Sequence, residues 1–139
     1  MIGRELALAL RDAGLVWHPE SGDRFALDLP DAVESEVEAE VFTVSEMTIE
    51  PQAYSTDTVL GFNGTTEWAL DSVSVGDAVW LPREDQLREL LRGSFRALRR
   101  LDDAFEVEIE LGGESHRFEH PDVAEAYGLA LFELIGRSR

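Results

Sequence analysis

Between Val59 and Leu91 the sequence VLGFNGTTEWALDSVSVGDAVWLPREDQLRELL sets a hairpin turn, two tryptophans and a helix start in succession. That order restricts the possible fold more than any other stretch. Asn63-Gly64 is a strong two-residue turn signal, because a type I′ turn needs positive φ at both central positions. It is flanked by Val59 to Phe62 and Thr65 to Leu70, both suited to strands. A two-residue turn would set Val59 opposite Trp68 and Gly61 opposite Thr66, leaving space beside Gly61 for the indole. Asp71 to Val79 fits either a loop or a single helical turn. At Leu81-Pro82 a helix is expected: proline suits the first helical position, and Glu84 and Asp85 suit its positive end. Leu87, Leu90 and Leu91 then form the apolar stripe. Glu84 and Arg88 stand four apart in the favourable order, and Gly93 can stop the helix.

The flanking sequence supplies the remaining elements. Leu6, Ala9, Leu10 and Ala13 recur at helical spacing and end at Gly14. Phe25, Leu27 and Leu29 alternate with polar or small residues and predict a half-buried strand, and Glu40 to Met47 predicts a second, followed by a loop around Pro51. Phe95 to Leu101 could extend the helix or open a strand; the position after Gly93 favours strand. Phe105, Val107, Ile109 and Leu111 alternate with Glu106, Glu108 and Glu110 and run into Gly112-Gly113. A tight turn there would pair Ile109 with His116, Val107 with Phe118, Phe105 with His120 and Glu108 with Arg117. Pro121, Asp122 and the spacing of Val123, Tyr127, Ala130, Leu131 and Leu134 predict a last amphipathic helix ending near Gly136. The expected fold is α+β, an antiparallel sheet built from hairpins with about three helices packed on one face. Residues 1–139 fit one globular domain with an acidic loop near 30–40.

Composition removes several chemistries. All 12 basic residues are arginine, and cysteine is absent. The chain therefore has no Schiff-base lysine, no Walker-type lysine and no thiolate nucleophile. It lacks GxSxG, GxxxxGK[ST] and HExxH motifs. The net charge of −17 opposes direct nucleic-acid binding, which depends on neutralising phosphates. No apolar run approaches the roughly 20 residues that cross a bilayer, so the expected setting is the cytoplasm without membrane insertion. Charge is uneven along the chain. His18 to Asp57 carries 11 acids and one arginine, whereas Arg83 to Arg100 carries six arginines and three acids, a local sum of +3.

Candidate chemistry has a bland counterpart in each case. His116 and His120, near Glu119 and Asp122, have metal-binding composition, but a four-residue spacing converges only on a helix, and these lie on a predicted strand. Packing histidines are the favoured reading. Glu67, Asp71, Asp77, Glu84 and Asp85 offer carboxylates near Trp68 and Trp80, yet 29 acids make such proximity common. Trp17, Trp68 and Trp80 could line a pocket or serve the core, with core packing preferred. No catalytic residue, cofactor or metal is assigned on these grounds.

The segments RELALALRDAGLVWHPESGDRF, VFTVSEMT, GFNGTTEWALDSV, WLPREDQLRELL and AEAYGLAL resemble a group of short actinobacterial proteins, many labelled pilus assembly proteins of the CpaE kind. WLPREDQLRELL and AEAYGLAL show a weaker similarity to short phage-associated proteins. The resemblance implies an accessory factor; without lysine the chain carries no nucleotide site of the ATPase that the label names. The expected function is a non-enzymatic adaptor or regulatory domain that meets a protein partner through Trp68, Asp71, Trp80, Arg83, Asp85 and Arg88. The alternatives are a small ligand-binding protein or carboxylate-dependent enzyme, and an acidic nucleic-acid mimic. Oligomeric state is left open.

Overall fold

The computed structural model describes residues 1–27, 41–51, 58–62, 72–74 and 78–138, giving backbone alone for 45–51, 58–62 and 72–74. The protein is α+β, with two antiparallel sheets and three helices among the described residues. Its contacts group into two compact units, Trp17–Leu81 and Met1–Val16 with Pro82–Arg139.

The first unit is a five-stranded sheet. Its strands are β1 (Arg24–Leu27), β2 (Phe42–Pro51), β3 (Thr58–Phe62), β4 (Ser72–Ser74) and β5 (Ala78–Trp80), in the order β4-β3-β2-β1-β5. Phe25, Ala26 and Leu27 are all buried, so β1 is covered on both faces rather than half-buried. Strand β2 runs through Pro51, where a loop was expected, and its register against β3 shifts between Val44 and Ile49. The pairing of β3 also departs from the hairpin expectation: Val59 lies opposite Ser74 and Gly61 opposite Ser72. Register answers to the hydrophobic pattern as well as to the turn, and here Leu60 is matched across the ladder with Val73. The Asn63-Gly64 turn and Thr65 to Leu70 lie outside the described residues, as does the acidic segment Asp31 to Glu40.

The second unit is built around its last helix. Helix α1 (Arg4–Ala13) buries Ala7 and Leu10 and stops at Gly14, whose φ of 121° a side chain would disfavour. Helix α2 (Glu84–Leu91) buries Leu87 and Leu91. Pro82 stands ahead of the cap instead of in the first turn, and Arg83 takes the N-cap, its amide donating to Gln86 Oε1 at 2.8 Å. Arginine has no acceptor to return the bond, so only the glutamine half of a capping box is made. A 3-10 turn (Arg92–Ser94) leads into β6 (Phe95–Arg100), followed by β7 (Phe105–Leu111) and β8 (Glu114–His120), with β7 central. The Gly112-Gly113 turn has φ of 58° and 84°, and all four expected β7–β8 pairs are present.

Helix α3 (Val123–Arg137) packs on β7 and β8 and touches both α1 and α2. Asp122 caps it, accepting from the Ala124 amide at 2.8 Å and the Glu125 amide at 3.3 Å. Helix α1 lies close over Gly128, where a Cβ would stand 2.5 Å from Leu6 Cδ2 and oblige that side chain to shift.

The other face of this sheet carries charge. Arg99 lies opposite Glu106, and its Nη1 is 2.9 Å from Glu106 Oε1 and 2.6 Å from Glu108 Oε1; Arg117 Nε approaches Glu108 at 3.6 Å from the other edge. Contact with Arg99 holds the Glu108 carboxyl below its ordinary 4.5, against an opposing effect of desolvation. A depressed carboxyl binds its proton less readily folded than unfolded, so its contribution is complete above 4.5 and lost as pH falls through the lower folded value. The urea midpoint of the wild type should therefore exceed that of Glu108→Gln at neutral pH, and the gap should shrink below pH 4.5. A gap independent of pH would contradict this coupling.

Candidate functional site

Helix α2 turns Leu87 and Leu91 inward, which leaves Arg88, Glu89 and Arg92 exposed. With Phe95, these three line an open cleft of about 430 Å³. Arg88 and Arg92 are one helical turn apart, and neither forms an ion pair with a described residue. That is unusual company in this chain. Arg83 pairs with Asp85 at 3.3 Å, Arg96 with Glu110 at 3.3 Å, and Arg99 and Arg117 with β7 glutamates.

Behind the cleft is Tyr127 of α3. Its ring packs on Phe95 with centroids 5.9 Å apart, and the residue is fully buried. The phenol oxygen has no hydrogen-bond partner among the described residues. Burial pushes the phenol above its ordinary 10.0; the neighbouring Arg88 guanidinium favours ionisation but only partly offsets this.

The backbone at Arg92 is the decisive feature. With φ of 52° and ψ of −133°, Arg92 is the only non-glycine of positive φ among the described residues. This is the conformation that the first central position of a type II′ turn reserves for glycine. Gly93, expected to end the helix in that role, lies outside the positive-φ region, and a Cβ there would meet nothing within 4 Å. The surrounding turn holds Arg92 in place: Ser94 Oγ donates to the Leu91 carbonyl at 2.6 Å, and Arg96 Nη1 donates to the Gly93 carbonyl at 2.5 Å. No family model, curated protein or solved structure matches the chain.

Strained positions of this kind cost on the order of 1–3 kcal/mol and gather where function demands them. Arg92→Gly should therefore raise stability by about 1 kcal/mol, after allowing for the greater unfolded-state freedom of glycine. Urea unfolding checks this. A variant less stable than wild type would show that Arg92 is not strained.

The sequence-derived surface is only partly assembled here. Trp68 and Asp71 lie outside the described residues, with Glu67 and Asp77. Trp80 belongs to the five-stranded unit, where it stacks on Trp17 with centroids 6.3 Å apart and planes at 8°. Arg83 and Asp85 pair with each other at the start of α2, and Arg88 alone reaches the cleft. The expected Glu84–Arg88 ion pair is absent. Glu89, Arg92, Phe95 and Tyr127 lie outside the surface that the sequence suggests. The arginine-rich run Arg83 to Arg100 was their one visible signal.

Elsewhere, His120 Nδ1 accepts from the Asp122 amide at 2.9 Å, and His116 Nε2 stands 4.0 Å from Glu114. No group of His, Asp and Glu among the described residues could hold a metal ion. No described helix is long and apolar enough to cross a membrane.

Proposed function

We propose that the protein is a non-enzymatic cytoplasmic interaction domain, an adaptor or regulatory module, that engages a protein partner through the end of α2 and the turn after it. Arg92 carries this reading. An arginine kept in a glycine conformation, one turn from a second arginine without an ion pair, is hard to account for by stability. Arginine is also enriched where protein surfaces meet, and an aromatic floor beside it suits such a contact. The likeness of the sequence to proteins labelled for pilus assembly makes components of that machinery the first partners to screen.

Photo-crosslinking from position 89 in the full chain, in its native cell, tests the proposal. Glu89 lines the cleft and is exposed; exposed Glu119 on β8 serves as the control position. A discrete protein adduct from position 89, absent from position 119 and lost in the double variant Arg88→Ala, Arg92→Ala, is expected. No adduct at position 89, or the same adducts from both positions, would overturn it.

A further inference from the structure

Resting on that interaction reading, we propose that the Arg88–Arg92 cleft recognises a carboxylate-bearing peptide segment, a glutamate side chain of the partner protein. Charge complementarity supplies the first reason. Most arginines of the second unit already hold a carboxylate of their own chain, through contacts of 2.6 to 3.6 Å. Arg88 and Arg92 have the same donors and no such acceptor among the described residues. Guanidinium groups match planar carboxylates with paired N–H donors, and a charge-assisted pair is about twice as strong as a neutral one.

The choice of carboxylate over phosphate comes from Glu89. Its side chain lines the same cleft, so a bound dianion meets a like charge that a single carboxylate feels less. The net charge of −17 adds a long-range penalty that grows with the charge of the ligand, is largest for a nucleic acid and is smallest for a segment that presents a single carboxylate. Phe95 adds an apolar wall, backed by the Tyr127 ring. The favoured segment thus places an aliphatic stem beside its carboxylate, as glutamate does. A volume of about 430 Å³ is within the range of sites that hold small ligands.

The probe is a blocked tripeptide with one central glutamate between alanines, titrated into the isotopically labelled full chain and followed by the arginine Nε–H signals of Arg88 and Arg92 and the Phe95 amide. Saturable shifts confined to these groups are expected, with affinity falling at least about tenfold in Arg88→Gln or Arg92→Gln. Inorganic phosphate is titrated in parallel. Phosphate saturating the same signals at lower concentration than the peptide would overturn the carboxylate assignment, as would the absence of any response to the peptide. The stable fold expected of Arg92→Gly gives a second variant, predicted to lose the peptide response while its other amides stay in place. An adduct from position 89 without peptide binding would sink this inference and leave the interaction reading standing; peptide binding without an adduct would sink the interaction reading and, with it, the assignment of the carboxylate to a partner protein.

Discussion

Tyr127→Ala is expected to cost about 3–5 kcal/mol, whereas Tyr127→Phe is expected to leave the protein as stable as wild type or about 1 kcal/mol more so. The contrast separates the two halves of one side chain. The ring is fully buried and packs on Phe95, so truncation leaves a cavity at the centre of the unit that α3 organises. The hydroxyl, by comparison, is buried without a hydrogen-bond partner among the described residues, and phenylalanine removes that desolvated group without changing the packing. The pH dependence follows with a definite sign. Burial raises the phenol above 10.0, so the unfolded chain ionises first as pH rises past that value. Wild type should lose stability there that Tyr127→Phe retains. Urea midpoints at neutral and high pH measure both effects. A clear destabilisation by phenylalanine would mean the hydroxyl makes a bond.

In the other unit, Phe25→Ala should lower stability by about 3–5 kcal/mol. Phe25 is fully buried, and the strand register places it between Phe42 on β2 and Trp80 on β5. Its ring is 5.6 Å from both Phe42 and Trp17, and Trp17 in turn stacks on Trp80. Removing the middle ring opens a cavity in a four-ring row and forfeits two aromatic contacts. Asp23, itself buried, accepts from Trp17 Nε1 at 2.9 Å and from the Glu20 amide at 3.0 Å, so the indole cannot easily move to fill the gap. Faster amide exchange at Arg24–Leu27 with altered tryptophan fluorescence would confirm the effect. Unchanged exchange at those amides would show that the row is not what holds β1.

How far the sequence foretold all this depends on whether a signal was local. The β7–β8 hairpin was legible to the residue, because strict alternation and a Gly-Gly turn act over a few positions and agree with each other. Helix α1 and the helix that follows Asp122 were legible for the same reason. The partner of β3 was not: turn propensity at Asn63-Gly64 is local, while the pairing of Gly61 with Ser72 is set by the sheet. Ala26 shows another limit. Alternation placed it on a polar face, but β1 lies inside a five-stranded sheet, and Ala26 is buried. At the site, the local excess of arginine was visible, and Arg88 was chosen from it. Arg92 is not legible in the sequence because the adjacent glycine is the expected bearer of positive φ; its strain arises from how the turn from α2 into β6 is closed, which no residue-by-residue preference encodes.

The most direct test of the arginine cleft as a binding surface is the yield of the position-89 adduct in the Arg92→Gly background, in protein shown by urea unfolding to be folded. The account predicts that the adduct is lost although the backbone has been relieved of its strained residue. An adduct formed as efficiently as in wild type would contradict it.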